Sequence, residues 1–280
     1  MVCSYCKNEK KITREHLFPT SVLNLFPECD FNIDGERMFK GNKITIKDVC
    51  EDCNNGVLSI LDNYGKGLVE KYFVKEYFGN KIISFDYNYN MLSRWLLKLV
   101  YNIARKEKLD NRWFNDNLEY ILGEEEVNDK FSIFAGLAIN TSPFPDELMG
   151  YRKLLVSFNP KILRKPIFDK HSLGRPQPKL FQKSDMNLEI VEFEFLYNSA
   201  LVRLGSALFL IFLWENEIED QTRLENEEEM LAYYPYKLLS NSKDNIYLNR
   251  VTHAFNYHHE LINLIDSVPD MFIVDSFRQN

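Results

Sequence analysis

"TREHLFP" at residues 13–19 lies between "CSYC" at 3–6 and "VCEDCNNG" at 49–56, so a carboxylate and an imidazole, Glu15 and His16, stand side by side inside a bracket of four cysteines. A C-x-x-C pair forms a tight knuckle that delivers two thiolates to one metal ion, and two such pairs complete a tetrahedron. Cys3/Cys6 and Cys50/Cys53, separated by 43 residues, predict a zinc site with these four residues as ligands. Four cysteines buried merely as small hydrophobes would not explain the repeated spacing. Such a site is closed, with no coordination position left for a substrate. Its role is structural, and chemistry is expected from the enclosed pair. The fifth cysteine, Cys29, reads as a free thiol.

Outward from the bracket, Leu58, Leu61, Leu68 and Val69 recur at helical spacing after Cys53, and a helix is expected to start at the second cysteine pair, although Gly56, Gly65 and Gly67 weaken the pattern. Before that pair, "RMFKGNKITIKDVC" alternates in part around a Gly-Asn turn at 41–42 and reads as a hairpin strand. Beyond residue 80 the texture changes. "NMLSRWLLKLVYNIARKEK" at 90–108 has apolar residues at 92, 95, 96, 99, 100 and 103 with charges between them, the pattern of an amphipathic helix. Strand-like runs follow at 131–140, 153–158, 188–198 and 200–214, the last two reading as a hairpin around "YNSA" at 197–200. The fold class is α+β, with a small unit over 1–80 and a larger α+β domain over 81–280.

Length and composition bound the function classes. A chain of 280 residues with 45% hydrophobic content can bury a substantial core. No apolar run follows Met1, and "LGSALFLIFLW" at 204–214 is too short to span a bilayer as a helix, so a cytoplasmic protein with no membrane partner is expected. The net charge of −7 hides segregation: residues 151–185 carry nine Lys or Arg against two acids, whereas 215–229 carries eight acids against Arg223. The basic arm, with Lys161, Arg164 and Lys165, is a candidate nucleic-acid contact. A solvated loop is the plainer reading of the same residues. "HAFNYHHE" at 253–260 offers His253, His258, His259 and Glu260, but an i, i+5 spacing does not align ligands on one helical face.

C-x-x-C, then "EHLFP", then "VCEDCNNG" opening a helix resembles the zinc-stapled HNH endonucleases of the ββα-metal type, over roughly residues 1–65. The resemblance implies a metal-dependent phosphodiester hydrolase, with Zn2+ structural and Mg2+ or another divalent cation catalytic. It implies His16 as general base, Glu15 contributing to the divalent-ion site through a local bend of the strand, and Asn54 or Asn55 supplying an amide oxygen to that ion. The family's Asn that orients the histidine is replaced here by Thr45, the nearest Asn being Asn42. Asp62, two helical turns beyond the Asn pair, could reach the same face as Asn55 as a further ligand, and its plainer reading is a solvated or capping carboxylate. DNA is the default substrate and RNA the other candidate. An acidic effector of an anti-phage defence complex, borrowing basic surface from a partner protein, fits the sequence pI of about 5.4. The non-enzymatic alternative is a zinc-binding interaction module for nucleic acid or protein, in which His16 only braces the knuckle.

Overall fold

A computed structural model describes residues 1–27, 31–34, 37–40, 44–77, 81–125, 129–138, 153–160, 162, 179–182, 190–251 and 271–274. The first elements are β1 (Ile12–His16), a single turn α1 (Thr20–Leu23), β2 (Phe31–Asp34), β3 (Arg37–Lys40) and β4 (Thr45–Cys50). β1 pairs antiparallel with β4, and β2 with β3. Cys50 ends β4 in extended backbone, and the chain turns directly into a helical run through α2 (Glu51–Cys53) and α3 (Ser59–Leu68). Wider π turns at Asn54–Leu58 and Val69–Phe73 interrupt and end this run, the first with non-helical backbone at Gly56. The helix expected at the second cysteine pair is therefore present, and its glycines have positions of their own.

Gly65 explains the helix packing. An added Cβ there would come within 2.0 Å of the Trp95 indole, so the missing side chain lets α3 lie directly on the ring. Trp95 belongs to α4 (Tyr89–Lys106), whose N-terminus is capped by Asn88 Oδ1 accepting the Met91 amide at 3.0 Å. Alanine at position 65 would gain about 1 kcal/mol of helix propensity. Overpacking against a ring held at 1% exposure outweighs it. Gly65→Ala is expected to lose about 1–3 kcal/mol, read as a lower denaturant midpoint with an unchanged slope.

The remaining elements are β5 (Ile83–Asp86) before α4, then α5 (Arg112–Asp116), α6 (Leu118–Leu122), β6 (Phe131–Leu137), β7 (Leu154–Phe158), β8 (Lys179–Gln182), β9 (Leu196–Leu204), β10 (Ala207–Trp214), α7 (Asp220–Tyr233), β11 (Lys237–Leu238), β12 (Asn245–Leu248) and β13 (Met271–Val274). Five of the strands form an antiparallel sheet in the order β11-β6-β10-β9-β7. All eight residues of β10 are buried, which explains the unbroken apolar run: the sheet is covered on both faces. Phe209, Ile211 and Leu213 join the core that holds α3 and α4, while Leu208, Leu210, Phe212 and Trp214 face a second core with Phe193, Met230 and Tyr234.

Two expectations are corrected. "YNSA" at 197–200 lies inside β9, and the hairpin turn falls at Gly205–Ser206, where Gly205 takes φ +60°. A side chain at 205 would also strike the Phe73 carbonyl at 2.1 Å, and that carbonyl accepts the Ser206 amide at 2.9 Å. The turn thus holds the C-terminal end of the helical run. Of the run at 188–198, the described part begins at 190; Val191 and Phe193 are buried outside any strand, and only Leu196 onward joins the ladder. The protein is α+β, and the first core is continuous from Cys3 to Leu248.

Candidate metal centre and the His16 site

The Sγ atoms of Cys3, Cys6, Cys50 and Cys53 all lie within 4.8 Å of one another. They are not disulfides: Cys6 and Cys50 Sγ are 3.8 Å apart, far beyond a bonded S–S distance of about 2.05 Å. Sulfurs about 2.3 Å from a central tetrahedral ion would be about 3.8 Å apart, a separation that this pair matches. The four cysteines can bind a metal ion. Three are buried and Cys6 is partly exposed. The first knuckle is closed by the Lys7 amide donating to the Cys3 carbonyl at 3.1 Å, with Lys7 in the left-handed region at φ 58°. The Cys50 amide donates to Cys3 Sγ at 3.3 Å, linking the knuckles. Burial pushes the Cys3 thiol up, but the amides of Cys50, Cys6 and Tyr5 outweigh it and hold the thiol at about 7. Burial and the neighbouring sulfurs push Cys53 up. A cation among the sulfurs would favour the thiolate form of all four.

The bracket fixes the strand pair it encloses. Ile12 lies opposite Cys50, and His16 opposite Thr45, with a register shift between Thr13 and Glu15. The register is irregular just before Glu15, and Glu15 and His16 have different surroundings: Glu15 is buried at 4% exposure, whereas His16 is half-buried. Thr45 occupies the position facing His16 across the ladder. Among the described residues the His16 imidazole has no hydrogen-bond partner.

Asn54 is tied to the same strand. Its side-chain amide donates to Thr13 Oγ1 and to the Arg14 carbonyl, each at 3.0 Å, which commits both N–H bonds. Its Oδ1 has no donor among the described residues and remains as an acceptor. Asn55 is exposed and makes no such bond. The π turn at Asn54–Leu58 is a local widening of the kind that recurs at functional sites.

Glu15 faces a lysine that the sequence pattern had counted among the charges between apolar residues. Lys98 of α4 is completely buried, and its Nζ lies 2.6 Å from Glu15 Oε1 and 2.6 Å from both oxygens of Asp62. Asp62 also accepts the Trp95 indole N–H at 3.2 Å, so it is an internal partner, neither a solvated nor a capping carboxylate. Burial raises its pKa against the opposing pull of Lys98. One turn along α4, Asn102 donates to Glu15 Oε1 at 3.3 Å and to the His16 carbonyl at 3.2 Å. Arg105 lies against the rings of both Tyr5 and Tyr101, 4.8 and 4.2 Å from their centres, and pairs with Asp48 at 3.3 Å.

Lys98 and Asn102 were the residues that reading by pattern missed. A signal existed: 95, 98 and 102 fall at i, i+3 and i+7, on one helical face with the apolar stripe. The other candidates, Lys161, Arg164, Lys165, Asn42, Cys29, His253, His258, His259 and Glu260, lie outside the described residues. Among the described residues, no helix is long and apolar enough to cross a membrane. No family model matches the chain, and neither curated proteins nor solved structures yield a match.

Proposed function

We propose that the protein is a metal-dependent endonuclease of the HNH type that hydrolyses phosphodiester bonds of DNA, with a structural Zn2+ on Cys3, Cys6, Cys50 and Cys53. The observation that carries this reading is the order strand, strand, helix on one four-cysteine cluster, with His16 half-buried on the first strand and Asn54 of the helix hydrogen-bonded back to that strand at 3.0 Å. A binding module has no need of an imidazole and an amide oxygen that, among the described residues, have no hydrogen-bond partner, on a strand and a helix tied to each other.

In this reading water attacks phosphorus, the bond to the leaving oxygen breaks, and the water's proton passes to a ring nitrogen of His16. A neutral imidazole suits that task because its unprotonated ring nitrogen accepts a proton. Asn54 fits a hard divalent cation such as Mg2+ through Oδ1, since its nitrogen is already committed. Such an ion, when bound, supplies electrostatic stabilisation of the charge that develops on phosphate oxygens. Glu15 fits that ion poorly, because its carboxylate is engaged by Lys98 and Asn102. Its contribution is at one remove, through the strand it anchors. That same engagement favours the second reading, a zinc-stapled interaction module without hydrolysis.

Incubating the zinc-loaded chain with supercoiled plasmid and with single-stranded RNA, in Mg2+, Mn2+ or Ni2+, decides between the two. Nicked or linear DNA that EDTA suppresses is expected. Intact nucleic acid under every ion, from protein that retains its zinc, would leave the interaction module. The amide ligand is separable within the active protein: Asn54→Ala is expected to raise the divalent-ion concentration for half-maximal rate on the order of tenfold, and Asn55→Ala to leave it unchanged. Equal shifts for the two alanine variants would remove this assignment.

A further inference from the structure

The structure assigns Lys98 and Asn102 of α4 as positioning residues for the His16 site, although α4 lies outside the stretch that resembles the nuclease family. The inference rests on the proposed function only for its catalytic consequence; the placement of the imidazole is a property of the free protein.

The Asn102 side chain is fully buried and every hydrogen-bonding position it has is filled. Its N–H groups go to Glu15 Oε1 at 3.3 Å and the His16 carbonyl at 3.2 Å. Its Oδ1 accepts the Tyr5 hydroxyl at 2.9 Å and Arg105 Nη2 at 2.7 Å. One amide therefore joins the first cysteine knuckle, which contains Tyr5, to the last residue of β1. Lys98 adds the charge that keeps Glu15 inside: its ammonium is at 0% exposure, between Glu15 and the Asp62 carboxylate of the helix that follows the second knuckle.

His16 needs this support because β1 ends there. On one side the strand is held by β4, with the Leu17 amide donating to the Ile44 carbonyl at 3.2 Å. On the other side the Asn102 side chain donates to the His16 carbonyl. A general base works only when held near its productive geometry, and a misplacement of about 1 Å can cost on the order of 100-fold in rate. Lys98 and Asn102 thus make a helix from beyond the knuckles part of the site's frame, and separate it from a self-contained strand-helix module.

The test uses the full zinc-loaded chain with 13C-labelled histidine, and reads the His16 ring signal, identified by its loss in His16→Ala, before any nucleic acid is added. Asn102→Leu is expected to shift or broaden the His16 signal while leaving the other histidines and the zinc content unchanged. Where the wild type cleaves, kcat should fall on the order of 10- to 100-fold with KM little altered. Lys98→Arg, which keeps the charge, should stay near wild type, and Lys98→Met should resemble Asn102→Leu. If Asn102→Leu fails to fold, Asn102→Ser carries the same readout. A folded variant with an unmoved His16 signal overturns the assignment, whatever the activity. A wild type that cleaves nothing overturns the proposed function alone, since the ring signal still reports whether α4 places the imidazole.

Discussion

Cys50→Ser is expected to yield protein that holds no metal and loses the fold of its first 73 residues, whereas the wild type carries one zinc per chain. Structural zinc contributes about 10–16 kcal/mol of folding free energy in isolated knuckle-type sites, against a total of about 5–15 kcal/mol for an ordinary domain. Cys50 is the sharpest single choice. It is at 0% exposure, it ends β4 and leads into the helical run, and its Sγ lies 3.8 Å from that of Cys6 in the other knuckle, so losing the thiolate unties the two knuckles. The loss should spread, because Cys3, Cys50 and Cys53 are packed in the same core as Leu96 and Val100 of α4. Elemental analysis counts the ion and hydrogen exchange locates the opening, with β1 and β4 losing protection first. Substitution by Co2+ should give the visible bands of a tetrahedral thiolate site. A metal-free preparation with native protection in β1 and β4 would refute the zinc assignment.

What the sequence reveals and what it hides divide along the range of the interactions. The four cysteines, the helix after Cys53 and α4 are legible because each rests on local spacing, and local spacing survives into the structure. The hairpin position is not, because Tyr197–Ala200 reads as a turn from polarity alone, while Gly205 is needed for a close approach to Phe73 that only the assembled chain reveals. Glu15 is the sharpest case. Beside His16 in sequence it suggests a shared ion, yet its charge is answered by Lys98, 83 positions away by their numbers, one of the charges between the apolar residues of an amphipathic pattern. A buried carboxylate requires a buried cation or hydrogen bonds, and no window of sequence identifies which lysine supplies it.

His16→Ala is expected to reduce cleavage about 10²- to 10⁴-fold, the usual contribution of a positioned general base, while zinc content and thermal midpoint stay close to wild type. The structural grounds are the surroundings of the ring. It is half-buried at the end of β1, without a hydrogen bond among the described residues, so its removal leaves no internal polar group unsatisfied. The groups that hold the strand in place bind its backbone and its neighbour: Asn102 takes the His16 carbonyl and Lys98 takes Glu15. A brace would behave otherwise. If the imidazole served to steady the knuckle, the alanine variant would lose stability and zinc in step with activity. The pH profile separates the two further: wild-type kcat/KM should carry an acid limb, because a protonated base cannot accept the water's proton, and the residual rate of His16→Ala should lack that limb. An alanine variant with the wild-type rate and pH profile would exclude His16 as the base, and would leave the four-cysteine cluster as the support of a binding surface.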